Sequence, residues 1–242
     1  MRLTRVYVAE PLTLGKTCVV EGTAANHIMR VLRLRDGDAL TLFDGQGGEY
    51  AARIASFRKD TAVVEVLEHR ALERESALDL TLLQGISRGE RMDWVMQKAT
   101  ELGVRRIVPL FTERSMVKLD ERQRERKLQH WRAIVIAACE QCGRNRVPEV
   151  AEPTNLFDGI RASDAASARL LLSPSASLRA RDLPQPAAIT LLIGPEGGLA
   201  DNEGEFAIRQ GFQPVQLGPR ILRTETAAIA ALAALQNNFG DL

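Results

Sequence analysis

The sequence has few cysteines and no long hydrophobic run. Its three cysteines, Cys18, Cys139 and Cys142, are too few for a disulfide framework in a chain of 242 residues. Cys139 and Cys142 form a CxxC, but no further ligands stand close by in the sequence, so we expect no metal site. The apolar run 227–235 is too short to span a bilayer, and the N-terminus has no apolar signal stretch. We therefore expect a cytoplasmic protein without membrane association.

The sequence also lacks an excess of charge, with 32 Lys and Arg against 31 Asp and Glu. The overall balance therefore gives no indication of nucleic-acid binding. The basic residues are nevertheless concentrated in the middle, where residues 88–146 contain fourteen Lys and Arg and eight Asp and Glu. Such a segment suits a polyanion. The run 120–127 within it mixes both signs at helical spacing, which is more typical of a solvated helix face.

The first seventy residues are rich in short predicted strands, and the rest of the chain alternates strands with helices. Within 1–70 a single helix is predicted from Thr23, as its N-cap, to about Arg33. Short strands with a single helix indicate a small β-barrel over 1–70. Residues 71–77 are a charged linker, and the alternation over 78–242 predicts an α/β domain with a parallel sheet. Residues 173–188 are predicted to be an exposed connection.

Two turns that contain glycine follow predicted strands of the α/β domain. Gly194–Gly198 (GPEGG) follows the strand 189–193, and Leu217–Thr226 (LGPRILRTET) follows 215–217. The carboxyl ends of parallel strands are where open α/β sheets bind ligands, and glycine lets the backbone approach a ligand closely. Neither turn is a P-loop or a GxGxxG fingerprint, and Gly45–Gly48 leads into another strand and so predicts a hairpin. A purely structural turn remains the alternative for 194–198.

Polar residues of the second turn are candidates for chemistry. Thr224 is predicted to cap the following helix, and Glu225 falls in its first turn. Arg220 and Arg223 flank the turn, where arginine can hold a phosphate or polarise a base carbonyl. For Arg220, pairing with a neighbouring acid is an equal alternative.

Two groups of basic residues are candidates for RNA binding. Arg144, Asn145 and Arg146 follow Gly143, which is predicted to end a helix, and no acid stands directly beside them in the sequence. We expect these three side chains to project from a loop and to contact RNA, although cations near a helix C-terminus also complement its dipole. The second group lies in the small barrel and consists of Arg5, His27, Arg30, Arg33 and Arg35. Within it, His27, Arg30 and Arg33 are predicted to form a ridge on one side of a helix that could track a phosphate backbone.

Several motifs together resemble the ribosomal RNA small subunit methyltransferase E family. The stretches that carry the resemblance occur in order and are Asn26–Arg33 (NHIMRVLR), Ser87–Glu90 (SRGE), Gln97–Gly103 (QKATELG), Ala137–Pro148 (AACEQCGRNRVP), Gly194–Leu199 (GPEGGL) and Leu217–Thr226 (LGPRILRTET). The resemblance covers residues 5–241 and shows no gross departure from the pattern.

The resemblance implies a fold, a cofactor and partners. The first seventy residues would be a PUA-like RNA-binding barrel, and the rest a SPOUT-class methyltransferase domain with a deep trefoil knot at its carboxyl-terminal end. S-adenosylmethionine would bind among the knot loops. The protein would be a homodimer that binds 16S ribosomal RNA across both subunits. It would methylate N3 of a uridine, U1498 in the usual scheme. The implied cofactor residues are Leu172, Ser173, Gly194, Glu196, Gly197, Gly198, Leu217, Gly218, Leu222 and Thr224.

The implied reaction places three demands on the site. The methyl donor must lie in line with N3, the uridine must leave its stack, and the N3 proton must be removed. Arg223 is the candidate for stabilising charge on the uracil carbonyl oxygens, and Glu196 and Glu225 are candidates for the base or for orienting groups. Two alternatives stay open: a non-catalytic RNA-binding assembly factor, and a SPOUT enzyme that methylates tRNA or a ribose 2′-OH.

Overall fold

The computed structural model describes residues 4–115 and 120–242. The chain divides into two compact units, a smaller one of residues 1–75 and 139–147 and a larger one of residues 76–138 and 148–242. Residues 139–147 thus pack with the smaller unit, although the sequence analysis assigns them to the second domain. A stretch of nine residues gives no local pattern that shows which core it joins.

The smaller unit is built on a five-stranded sheet in the order β1-β3-β4-β5-β2. Its strands are β1 (Arg5–Tyr7), β2 (Thr17–Val20), β3 (Ala39–Phe43), β4 (Glu49–Arg58) and β5 (Thr61–Arg70). Strand β1 runs parallel to β3, and the other neighbours are antiparallel. The predicted hairpin at Gly45–Gly48 is confirmed, since it joins β3 to β4 and three of its glycines have positive φ.

The helical segment of the smaller unit differs from the prediction of one regular helix. An α-helix, α1 (Gly22–Asn26), continues into a π-helical turn, His27–Val31. The prediction that Thr23 is the N-cap is wrong, because Glu21 at the end of β2 is still extended and the helix starts directly after it. The predicted ridge of His27, Arg30 and Arg33 is also wrong. A π turn is wider than an α turn, and Arg33 lies beyond the helix with φ of 52°.

The larger unit is built on a parallel sheet, as the sequence predicts. Its described strands lie in the order β11-β13-β10-β12-β6-β7-β8, with β9 also paired to β7, and every pair is parallel. The strands are β6 (Asp79–Gly85), β7 (Arg106–Phe111), β8 (Glu149–Val150), β9 (Thr154–Asn155), β10 (Ala168–Leu172), β11 (Leu178–Arg179), β12 (Ala188–Ile193) and β13 (Gln213–Gln216). The central strand β12 is buried from Ile189 to Ile193, as expected for a parallel strand covered on both faces.

Five α-helices accompany this sheet in the segments of the chain that the structure describes. They are α2 (Glu90–Glu101), α3 (Glu121–Cys142), α4 (Leu156–Arg161), α5 (Asp201–Arg209) and α6 (Thr224–Phe239). The sequence analysis missed α4, whose six residues are too few to show a helical period. Asn155 caps it by accepting a hydrogen bond from the Asp158 amide, 2.9 Å away. None of the helices among the described residues is long and apolar enough to cross a membrane.

Strand β13 has an unusual place in the sheet. It lies between β10 and β11, two strands that the chain joins through residues 173–177. The prediction that 173–188 is only an exposed connection is therefore wrong, because β11 pairs with β13 and a 3₁₀ turn, Ala180–Asp182, follows it. Strand β11 has only two residues, too few to show a hydrophobic pattern from which a strand could be predicted. The arrangement brings 173–177 to the same edge of the sheet as the segments that follow β12 and β13.

Candidate active site

A cavity of about 810 Å³ lies at the carboxyl edge of the larger unit's sheet. It is lined by the ends of β10, β12 and β13 and by the segments that follow them, within residues 171–175, 193–204 and 217–227. Ligand cavities in proteins have roughly 300–1,000 Å³. The structure brings all ten residues predicted for the cofactor into its lining: Leu172, Ser173, Gly194, Glu196, Gly197, Gly198, Leu217, Gly218, Leu222 and Thr224.

The loop after β12 is held in place by close backbone contacts. A Cβ on Gly194 would lie 3.0 Å from the Leu199 amide nitrogen, and a Cβ on Gly85, at the end of β6, would lie 2.5 Å from the Pro195 nitrogen. A side chain at Gly85 would therefore collide with the loop backbone, and one at Gly194 would be tightly crowded by it. The Gly198 amide donates a hydrogen bond to the Pro195 carbonyl oxygen, 2.9 Å away, which closes the turn. These contacts fix a loop whose backbone lines the cavity.

Thr224 joins the two glycine-bearing loops. The prediction that it caps α6 is wrong: Arg223 occupies the N-cap position, and Thr224 is the first residue of the helix. Its hydroxyl donates to the Gly194 carbonyl oxygen, 2.7 Å away, and accepts from Gln84 Nε2, 3.1 Å away. The hydroxyl does not cap the helix because it is already hydrogen-bonded to Gln84 and Gly194. A buried polar chain thus links β6 to both loops.

Two carboxylates lie in the cavity wall with different surroundings. Glu196 Oε1 accepts hydrogen bonds from the Arg88 amide, 2.9 Å away, and from Arg91 Nη1, 2.8 Å away. Burial acts to raise the pKa of Glu196, but these hydrogen bonds and one from its own amide outweigh it, so the pKa is lowered. Glu225 Oε1 lies 3.8 Å from Arg91 Nε, and its buried Oε2 has no hydrogen-bond partner among the described residues.

Two arginines border the same cavity. Arg220 and Arg223 both line it and are exposed. No acidic side chain in 4–115 or 120–242 forms an ion pair with either, so the alternative that Arg220 pairs with a neighbouring acid is not seen. Their guanidinium groups are therefore available to a ligand.

The predicted RNA residues of the smaller unit fall into a buried and an exposed set. Arg5, Arg144 and Asn145 have 9%, 4% and 0% of their surface exposed. The prediction that Arg144 and Asn145 project from their loop is therefore wrong. Arg144 forms a two-pronged ion pair with Glu75, and Arg5 pairs with Glu49 and donates to Asn145 Oδ1 at 2.6 Å.

The physical reason for this difference is the distance in sequence between the partners. We expected no acid near Arg144, but Glu75 lies 69 residues away along the chain and only folding brings it close. The members that remain exposed are His27, Arg30, Arg33, Arg35 and Arg146.

Sequence reasoning missed three residues that the structure places beside the cavity loops. Gln84, the penultimate residue of β6, donates to Thr224, the Arg88 amide donates to Glu196, and Arg91 on α2 contacts both carboxylates. Their position could have indicated them, because they follow the predicted strand 78–83. The carboxyl end of that strand lies at the same edge of the sheet as the cavity loops. Among the described residues no cluster of three or more His, Cys, Asp or Glu side chains is arranged to hold a metal.

Comparison with protein families assigns both units to a class. The RNA methyltransferase domain family matches residues 74–236, and the RNA methyltransferase PUA domain family matches residues 20–67. The larger unit, with its parallel sheet and cavity, is thus an RNA methyltransferase domain, and the smaller unit contains a PUA domain.

Individual relatives narrow the class to one family. The ribosomal RNA small subunit methyltransferase E of Buchnera aphidicola subsp. Schizaphis graminum is 37% identical over 242 residues, covering 100% of this chain and 98% of the relative. The structure of the same-named protein of Neisseria gonorrhoeae, bound to S-adenosyl methionine, matches with 39% identity and a TM-score of 0.93. The structure of a putative methyltransferase of Legionella pneumophila, with bound SAM, matches with 44% identity and a TM-score of 0.97. Both structures match over 100% of each chain. The chain belongs to the ribosomal RNA small subunit methyltransferase E family, which confirms the resemblance in the motifs.

Proposed function

We propose that this protein transfers the methyl group of S-adenosylmethionine to N3 of a uridine in 16S ribosomal RNA, U1498 in the usual scheme. Membership of the family makes it an rRNA methyltransferase. The observation that carries the proposal is the cavity in which the ten predicted cofactor residues, Arg223 and both candidate carboxylates meet. A protein that only bound RNA would have no need of such a cavity.

The residues of the cavity fit S-adenosylmethionine. The volume is in the range of cofactor sites, and a Cβ at Gly198 or Gly218 would meet nothing within 4 Å, so backbone is open to a ligand there. The buried Glu225 Oε2 has no partner among the described residues, so the cavity wall offers one acceptor to a donor on a ligand. When bound, the cofactor supplies an electrophilic methyl group on its sulfonium.

The chain's own residues can meet the remaining demands of the reaction. Arg223 borders the cavity and is exposed, so its guanidinium can stabilise the negative charge that spreads to the uracil carbonyl oxygens when N3 loses its proton. Glu196 already accepts hydrogen bonds from Arg88 and Arg91, which favours an orienting role. Glu225, with its unpartnered oxygen, is the better candidate to accept the N3 proton.

In the smaller unit we propose that the exposed basic residues bind RNA phosphates and that the buried ones support the fold. Arg30, Arg33 and Arg146 are exposed and can reach a polyanion, with His27 near the first two in the sequence. Arg5, Arg144 and Asn145 are occupied by partners within their own unit.

We propose that the carboxyl-terminal portion of the larger unit forms a deep trefoil knot. The strand order supports it, because β13 lies between β10 and β11, two strands that the chain joins through residues 173–177. An experimental density trace through residues 168–224 tests the threading.

We also propose a homodimer that acts in the cytoplasm, where bacterial ribosomes are assembled. Sedimentation is expected to give a mass about twice the 26.7 kDa of one chain. A single-chain mass at micromolar concentration would contradict the dimer.

The experiment for the main proposal combines genetics with mass spectrometry. Small subunits from a strain without the gene are incubated with purified protein and S-adenosylmethionine, and the rRNA is digested and sequenced by mass. We expect one new methyl group, on the base of one 16S uridine. A methyl group on a ribose or on tRNA would overturn the target. No heat of binding with S-adenosylmethionine, together with bound RNA, would favour the assembly factor instead.

A further inference from the structure

Arg91 belongs neither to the motifs nor to the cavity lining, and its side chain contacts an acid on each of two cavity segments. It lies in the first turn of α2, and its side chain is 40% exposed. Nη1 lies 2.8 Å from Glu196 Oε1 on the loop after β12, and Nε lies 3.8 Å from Glu225 Oε1 at the start of α6. The two acids are 29 positions apart in the chain and are held by one guanidinium.

The charges explain why such a contact matters for geometry. Two carboxylates that approach the same cavity repel each other, and the positive charge between them removes that repulsion. The lowered pKa of Glu196 agrees with this arrangement, since Arg91 is one of the groups that favour its charged form. An ion pair this exposed contributes little to the free energy of unfolding. We therefore expect the ion pairs of Arg91 to affect the positions of the two loops more than the stability of the protein.

We propose that Arg91 is a positioning residue that fixes the relative placement of Glu196 and Glu225, and with them the two loops that line the cavity. Arg91 does not itself line the cavity, so it acts through the two acids. The positive charge between the acids is the property that matters, and lysine can replace it in part. The inference rests on the proposed function only in using methyl transfer as one of its readouts.

The first test separates placement from binding. We expect Arg91→Met to lower kcat for rRNA methylation roughly tenfold, because small misplacements at a reacting centre are costly, and to change the dissociation constant of S-adenosylmethionine less than about threefold. Arg91→Lys is expected to recover kcat to within about threefold of the wild type. The matched control is Arg209→Met, which removes another exposed arginine paired with a glutamate on the same unit. A kcat for Arg91→Met within about twofold of the wild type, or equal to that of Arg91→Lys, would overturn the inference.

A second test uses coupling between the two partners. If Arg91 acts through Glu225, the loss of kcat in Arg91→Met combined with Glu225→Gln is no larger than in the more severe single variant. If the loss of kcat in the double variant equals the product of the two single losses, the inference is overturned, even when each variant is folded and active.

A third readout does not need activity. Amide hydrogen exchange in residues 194–199 and 217–223 is expected to be faster in Arg91→Met than in Arg209→Met, and unchanged exchange would overturn the inference. Failure of the wild type to methylate rRNA would instead overturn the proposed function and leave this readout in force.

Discussion

Two pairs of arginines in this protein stand in opposite surroundings. Arg5 and Arg144 of the smaller unit are buried, and each is paired with a glutamate. Arg220 and Arg223 of the larger unit are exposed at the border of a cavity and form no ion pair with the described acids. A buried guanidinium must be paired because its desolvation is costly, whereas an exposed one keeps its donors for a ligand. Arg144 follows the carboxyl-terminal end of α3 and Arg223 is the N-cap of α6, so a place beside a helix end does not decide whether an arginine is buried and paired.

The largest expected effect comes from breaking a buried pair. Arg144→Met leaves Glu75 as a buried charge without its main partner, and we expect the free energy of unfolding to fall by about 3–5 kcal/mol. Urea unfolding followed by circular dichroism measures it. The control is Arg146→Met, two positions away, whose side chain is 57% exposed and is expected to cost less than about 1 kcal/mol. Equal losses for the two variants would show that burial does not determine how much an arginine of this segment contributes to stability.

The second effect is catalytic. Arg223→Ala is expected to lower kcat for rRNA methylation by about 10² to 10³, because in the proposed mechanism it removes a donor to the charge that develops in the transition state. Its unfolding should match that of the wild type, since the side chain is exposed. Radiolabel transfer to rRNA gives the rate, with Arg209→Ala as the control. If the variant methylates at the wild-type rate with cofactor bound, the role assigned to Arg223 is wrong.

The third effect concerns the buried chain beneath the cavity. Thr224→Val keeps the shape of the side chain but removes the hydroxyl between Gln84 and Gly194, and we expect a loss of about 1–3 kcal/mol in unfolding free energy. Thr226→Val, on the same helix and exposed, is the matched control and should change it by less than about 0.5 kcal/mol. A stability equal to that of the control would show that the link contributes nothing.

The smallest effect on stability is expected from the exposed basic residues of the smaller unit. Arg30→Gln with Arg33→Gln should leave unfolding within about 0.5 kcal/mol of the wild type. RNA affinity should fall, and the slope of its logarithm against that of salt concentration should decrease by about one for each phosphate that is no longer bound. Filter binding over a salt series measures both. An unchanged slope would place the RNA elsewhere on the protein.

The sequence predicted most of what local pattern can encode. The alternation of strands and helices indicated the parallel sheet, and glycine at strand ends marked the loops that meet in one cavity. Contacts between residues far apart in the sequence were not predicted. They are the ion pair of Glu75 with Arg144, the hydrogen bond of the Thr224 hydroxyl to Gly194, and the contacts of Arg91 with two acids. Each needs the folded chain, because nothing in the local sequence shows where a partner 30 or more positions away will lie.

The position of β13 also has a consequence for how the protein is made. Synthesis proceeds from the amino terminus, so β10 and β11 leave the ribosome before the strand that separates them. Residues 217–225, which complete the cavity, emerge later still. A nascent chain halted before residue 217 has no complete cavity, and the cofactor cannot stabilise it by binding. The gap between β10 and β11 can therefore be filled only after both of these strands have been synthesised.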